Sequence, residues 1–210
     1  MKFEKIHNKG QAQIFKNQYL EYLTKSHPLV IWSIYLPVII LLPYSVLANN
    51  LVTPWQAILF FLSGIFFWTF FEYIMHRFIF HWISENPRTQ KITYVLHGNH
   101  HEFPRDRQRL FMPPVPSIMM ACVIFSLFYI ILGDFSYIFF PAFLLGYLLY
   151  GSMHYAIHAW RPPFKWLKPV WRNHHLHHYK SDTRGFGVST HLWYWVFGTS
   201  FDNGAEKEEN

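Results

Sequence analysis

Ten of the fourteen histidines fall into four short groups: His76/His81, His97/His100/His101, His154/His158 and His174/His177/His178. Neutral imidazole is the commonest protein metal ligand, and ten of them can furnish two sites of about five nitrogens each. His154 and His158 are four residues apart, so on a helix their rings share one face. His97 relates to His100 and His101 by three and four residues, and His174 stands in the same relation to His177 and His178. Adjacent histidines on a helix point about 100° apart, which suits one imidazole for each of two neighbouring metals. The five-residue spacing of His76 and His81 fits a regular helix poorly, so one of the pair is expected just past a helix end or at a local irregularity. His175 breaks the H-x-x-H-H phase and His191 is isolated, so neither is expected to ligate. His7 and His27 lie in the polar N-terminal part and are expected to be solvated.

An all-nitrogen donor set does not suit magnesium or calcium, whereas imidazole suits iron, zinc, copper or nickel. Two clustered metals without a hydrolytic nucleophile motif favour oxygen activation by a di-iron pair. Such a centre can attack an unactivated C–H bond, which a lipid acyl chain has in abundance. Zinc is the strongest rival by ligand type and is a candidate occupant of the purified protein. Glu72, four residues before His76, has two readings of equal weight: a hydrogen-bond partner for a ligand imidazole, or a carboxyl at a helix end facing headgroups.

The elements that must position these groups are written in the hydropathy. The chain is 51% hydrophobic and only 14% charged, against about 25% charged in soluble domains. Four apolar stretches, 28–48, 55–75, 115–132 and 135–153, approach the roughly 20 residues that a bilayer crossing needs. Pro37 and Pro43 are expected to kink the first. Short turns at Asn49 to Pro54 and at Gly133-Asp134 join them into two hairpins. All 18 basic residues lie before the first stretch, between the second and third, or after the fourth. The positive-inside rule therefore places residues 1–27, 76–114 and 154–201, with a polar tail at 202–210, on the cytoplasmic face. Every histidine group falls on that face. The expected fold is an all-α integral membrane protein, a single domain of four transmembrane helices in two hairpins with a cytoplasmic histidine-rich catalytic cap. The first 25 residues do not read as a signal peptide. The single cysteine, Cys122, excludes an intramolecular disulfide and a CxxC zinc site. The net charge of +6 serves anionic headgroups, and no nucleic-acid motif accompanies it. Trp160, Trp166, Trp171, Trp193 and Trp195 are expected to anchor the C-terminal region in the headgroup layer, and a subset of them to line an acyl tunnel. Gly185-Phe186-Gly187 reads as tight turns or a flexible lid.

His76-Arg77-Phe78-Ile79-Phe80-His81, His97-Gly98-Asn99-His100-His101, His154 to His158 and His174 to His178 resemble the membrane fatty acid hydroxylase/sterol desaturase superfamily. Arg109 to Pro114, Gly146 to Tyr150 and Gly185 to Thr190 narrow the resemblance to the sphingolipid fatty acid 2-hydroxylases, in the form lacking an N-terminal cytochrome domain. The resemblance covers roughly residues 67–201. It implies a di-metal, dioxygen-dependent hydroxylase acting at C2 of a fatty acyl chain, with a ceramide-like lipid as substrate. All ten grouped histidines would bind metal, iron in the active form. Electrons would come from a separate cytochrome- or ferredoxin-type protein. The membrane would be the cell inner membrane of a bacterium or the endoplasmic reticulum of a eukaryote. Gly151 and Tyr194 depart from the pattern, each standing where an acidic residue is expected. A carotenoid hydroxylase or a sterol oxidase or desaturase would share the histidine groups. A membrane haem carrier would instead place single histidines inside facing spans, and a metal transporter would need polar groups along the membrane path.

Overall fold

The computed structural model describes residues 6–201, so the basic residues Lys2, Lys5 and Lys207 and the tail 202–210 lie outside the described residues. Among those described, every regular element is a helix. A short α1 (Gln18–Tyr22) precedes α2 (Pro28–Ala48) and α3 (Pro54–Ile74), which runs on into a π-helical turn, Met75–Phe80. Next come α4 (Pro87–Thr93), a second π-turn at Tyr94–Gly98 and α5 (Asn99–Glu102), continuous with one another. The long α6 (Pro114–Leu132) and α7 (Ser136–Ala159) follow, and then α8 (Lys168–Tyr179) and α9 (Leu192–Phe197).

Three helical stretches are long and apolar enough to cross a membrane: Pro28–Ala48, Pro54–Phe80 and Arg107–Ala159. The third is α6 and α7 joined by the 3-10 turn Gly133–Phe135, where Gly133 takes a positive φ of 57°. The starts follow local chemistry. His27 Nδ1 accepts from the Leu29 N–H at 3.2 Å to cap α2, and Thr53 with Gln56 forms a capping box on α3. Proline occupies the first turn of both, where its missing N–H costs nothing. Helix α2 runs unbroken through Pro37 and Pro43. Helix α7 extends past the expected end at 153 to Ala159, so His154 and His158 ride on the helix itself.

Contacts set the directions. Ser117, early in α6, meets Tyr35 of α2, and Phe128, late in α6, meets Phe139 and Phe143 of α7, so α6 doubles back on α7. Trp32 of α2 donates to Ser152 of α7 at 3.0 Å while Val46 packs beside Ile138, so these two are also antiparallel. Helices α3 and α7 run parallel, because Gly64 faces Phe139 and Ala142 whereas Trp68 faces Gly146. A Cβ on Gly64 would come within 2.4 Å of the Phe139 carbonyl, and one on Gly146 within 2.5 Å of the Trp68 ring. Small residues at these crossings let the backbones approach closely, as in lipid-embedded helix pairs. The C-termini of α3 and α7 and the N-termini of α2 and α6 thus gather at one end of the bundle.

That end is strapped by residues 6–26. The His7 N–H donates to the Glu102 carbonyl at 2.7 Å, Tyr179 donates to Asn8, and Ser26 N–H donates to the Gln108 carbonyl at 2.8 Å. Arg109, with a side chain only 3% exposed, joins Glu21 of α1 to Asp106. His7 is half-buried and stacks on Phe103, whereas His27 is exposed as expected and caps α2. Trp171 departs from its expected interfacial role: it is buried and donates to the Trp160 carbonyl, because α8 packs its apolar side onto the end of α7. Trp160, Trp166 and Trp195 are exposed, and Trp193 is half-buried, donating to Thr69.

Candidate metal centre

Each histidine group is carried by an element whose local pitch suits its spacing. The π-turn Met75–Phe80 lengthens the repeat, and the His81 N–H reaches back five residues to the His76 carbonyl at 3.2 Å. The five-residue spacing that fits an α-helix poorly is the natural repeat of this turn, which places both rings on one side. His97 sits in the second π-turn, His100 and His101 on α5, His154 and His158 on the last turns of α7, and the remaining three on α8.

Together they form two clusters. His76, His81, His97, His101 and His177 make one; His100, His154, His158, His174 and His178 make the other, with ligand nitrogens in each within 4.8 Å of one another. Both adjacent pairs are divided between clusters, His100 from His101 and His177 from His178, as the 100° turn per residue predicts. The clusters adjoin through His101 and His178, whose rings stack at 4.3 Å. His175 and His191 join neither.

The nitrogens face one another. In the first cluster Nε2 to Nε2 separations are 2.9 Å for His76–His97, 3.2 Å for His76–His81, 3.1 Å for His97–His101 and 3.1 Å for His81–His177. In the second they are 2.9 Å for His100–His154, 2.8 Å for His158–His174 and 3.1 Å for His174–His178. Two imidazoles at right angles about a metal, with bonds of about 2.0–2.1 Å, hold their nitrogens about 2.9 Å apart. The observed spacing is therefore that of neighbouring ligands around a common ion.

Outer contacts fix the ring orientation in the first cluster. His76 Nδ1 donates to the Phe186 carbonyl, and His177 Nδ1 donates to the Arg184 carbonyl at 2.7 Å. A proton held on Nδ1 leaves the Nε2 lone pair directed inward, the tautomer a metal needs. In the second cluster the Nδ1 atoms of His100, His174 and His178 are buried with no hydrogen-bond partner among the described residues. Burial also keeps the rings neutral: desolvation lowers His177 to about 4, and desolvation with the neighbouring His177 lowers His81 to about 2. His97, His100, His101, His174 and His178 are depressed for the same reason, reinforced by the other imidazoles. Neutral imidazoles converging in a water-poor pocket are poised to bind a divalent cation.

Glu72 corrects both readings made from sequence. It is 4% exposed, which removes it from headgroups, and among the described residues its hydrogen bonds go to Val188 and Ser189 rather than to an imidazole. One carboxylate oxygen accepts from the Val188 N–H at 2.5 Å and the Ser189 N–H at 3.1 Å, while the other accepts from the Ser189 hydroxyl. It therefore anchors the loop whose Phe186 carbonyl holds His76. The same loop is pinned by Tyr194, which is buried and donates to the Gly187 carbonyl, and by the Gly185 N–H bond to Thr199 at 3.0 Å. This explains Tyr194: a phenol reaches the loop backbone that a shorter carboxylate would not. Gly151 is likewise explained, since a Cβ there would lie 2.3 Å from the Phe111 ring. The loop 185–189 is a brace rather than a free lid. The Phe186 ring packs on His76, His81 and His177, and its carbonyl's hold on His76 was not legible in residue type, since backbone carbonyls have no signature in sequence.

Residues 61–199 match the fatty acid hydroxylase family. The chain is 35% identical over 92% of its length to the ceramide very long chain fatty acid hydroxylase SCS7 of Saccharomyces cerevisiae, of which it spans 50%. It is 30% identical over 97% of its length to the dihydroceramide fatty acyl 2-hydroxylase FAH1 of Arabidopsis thaliana, covering 86% of that protein. The chain belongs to the fatty acid hydroxylase family. The solved structure of full-length scs7p, in which only the hydroxylase domain is visible, superposes with a TM-score of 0.86 at 34% identity. The match covers 96% of this chain and 76% of that one. The two clusters of five imidazoles thus lie beside membrane-capable helices in a chain of the fatty acid hydroxylase family.

Proposed function

We propose that this chain is a di-iron fatty acyl 2-hydroxylase acting on a ceramide-type lipid. The observation that carries the reading is the pair of five-imidazole clusters at the mouth of an apolar helical bundle, in a family whose similar members are named as ceramide and dihydroceramide hydroxylases. The spacing and convergence of the ring nitrogens of His76, His81, His97, His101 and His177 fit one ion, and those of His100, His154, His158, His174 and His178 fit a second. Iron held there would supply dioxygen-activating redox chemistry, with zinc able to occupy the same donors in purified protein. In the net reaction one C2–H bond becomes C2–OH. Dioxygen gives one atom to the product and one to water, consuming two electrons and two protons from an external donor.

The chain's own residues supply position and environment. Phe186 and Arg184 carbonyls set the tautomers, and Glu72 with Tyr194 holds the loop that presents them. Phe186 and Phe80 cover the rings and exclude water. The bundle is read as four crossings in two hairpins, one hydroxylase domain, with the clusters at the face where the described basic residues gather. By the positive-inside rule this is the cytoplasmic face, of the inner membrane in a bacterium or the endoplasmic reticulum in a eukaryote. A cytochrome- or ferredoxin-type protein approaching that face would deliver electrons. Acyl C2 lies beside the polar carbonyl, so it rides at headgroup depth, where the bundle ends. Expression in a host making non-hydroxylated ceramides, with isotopic dioxygen and a supplied reductant, tests this: a 2-hydroxyacyl species carrying one labelled oxygen is expected. Unchanged acyl chains would overturn it.

A further inference from the structure

Beyond its long helices, the molecule exposes an apolar strip between residues 78 and 96 that no other described part of the protein covers. Phe78, Trp82, Ile83, Ile92, Val95 and Leu96 are all more than one-third exposed, with Ile83 at 74% and Ile92 at 58%. The strip has two halves. The first continues the π-turn directly off the end of α3, and the second is the outer side of the helical run 87–102. That run is two-faced: Thr93, His97, His100 and His101 are buried on one side, while Arg88, Lys91, Ile92, Val95 and Leu96 line a shallow groove on the other. An apolar surface of this extent on a soluble cap would be a liability, and apolar residues flanked by cations mark an element lying in a membrane interface.

We propose that residues 78–96 rest in the headgroup layer, with the apolar side chains below the phosphates and Arg88 and Lys91 bound to anionic lipid. Two observations select the bilayer as occupant. The strip is continuous with α3, one of the membrane-capable stretches. Two cations flank the apolar side chains of its second half, against one acid, Glu85, in the connecting turn. The consequence is functional. The helix that carries His97, His100 and His101 inward would be fixed in depth by its outer face, setting the level at which an acyl carbon meets the clusters. The inference rests on reading α3 as a membrane span.

The test uses the full chain with Cys122→Ser as background and single cysteines for nitroxide labels at Ile83→Cys, Val95→Cys, Gln90→Cys and Leu62→Cys. Protein is reconstituted in phosphatidylcholine vesicles with and without phosphatidylglycerol, and collisions with oxygen and with a water-soluble nickel chelate are measured. Labels at 83 and 95 are expected to favour oxygen over nickel, more so with phosphatidylglycerol, whereas the label at exposed, polar Gln90 favours nickel. Replacing Arg88 and Lys91 by glutamine should abolish the dependence on phosphatidylglycerol. Nickel access at 83 and 95 equal to that at 90 would overturn the proposal. Concentration-dependent spin broadening at 83 would also overturn it, by showing that a second copy covers the strip. Nickel access at Leu62, in the middle of α3, would instead refute the span itself.

Discussion

Glu72 offers the sharpest perturbation, because its carboxylate touches neither metal cluster yet governs the loop beside one of them. Glu72→Ala removes the acceptor for the Val188 and Ser189 N–H groups and for the Ser189 hydroxyl. A buried donor left without a partner costs about 1–3 kcal/mol. With two N–H donors orphaned, the serine hydroxyl left to turn elsewhere and a small cavity opened, the loss of stability is expected at about 3–5 kcal/mol. Glu72→Gln keeps one acceptor oxygen and lets the serine hydroxyl rotate, so it should cost only about 1–2 kcal/mol. The sharper consequence concerns metal. The loop that Glu72 ties presents the Phe186 carbonyl to His76, and loss of such outer support weakens a metal site about 10–100-fold. The cluster at His100 has no bond to this loop among the described residues. Chelator competition on zinc-loaded protein should therefore show one affinity class weakened and the other unchanged in Glu72→Ala. His97→Ala and His100→Ala, which each damage one cluster, identify the classes. Equal weakening of both classes, or a fall in melting temperature with neither class altered, would refute the positioning role.

Other outcomes follow from the same contacts. His97→Ala and His100→Ala should each lower bound metal from two ions toward one per chain, measured by elemental analysis; loss of both ions from either would contradict two separable clusters. Arg109→Ala breaks a buried link to Glu21 and Asp106 and should cost about 3–5 kcal/mol in thermal or denaturant unfolding, with Arg109→Lys only a partial rescue. Gly151→Ala forces a methyl into the Phe111 ring and should cost about 1–3 kcal/mol, read by melting; a neutral result would mean that Phe111 moves freely. In metal-free protein, burial holds His177 at about 4 and His81 at about 2, below the unfolded value near 6.5. Below that value the unfolded chain binds protons that the folded chain refuses. Stability is therefore fully present above about pH 6.5 and declines as pH falls, by up to about 1.4 kcal/mol per pH unit for each such histidine. Denaturant midpoints from about pH 7 to pH 5 would show the decline, and a flat profile would contradict it.

The histidine spacings, the apolar stretches and the grouping of basic residues were legible as residue types, because imidazole chemistry, helix periodicity and membrane solvation act on local sequence. They placed ten ligand candidates beside the ends of long helices and separated His175 from its neighbours. Local pattern also anticipated that adjacent histidines would divide between two sites. Which histidine joined which cluster was decided by tertiary packing: His177 of α8 meets His81 across 96 residues of chain at 3.1 Å, and His100 of α5 meets His154 of α7 at 2.9 Å. The irregular pair His76/His81 needed a π-turn, whose register depends on how α3 is held by its neighbours rather than on the pair itself. Glu72 shows the limit most plainly. Its position before His76 marked it as a supporting residue, but its partners are backbone amides of a loop more than a hundred residues away. Backbone groups look alike in every sequence, so only the folded chain could say which of them it holds.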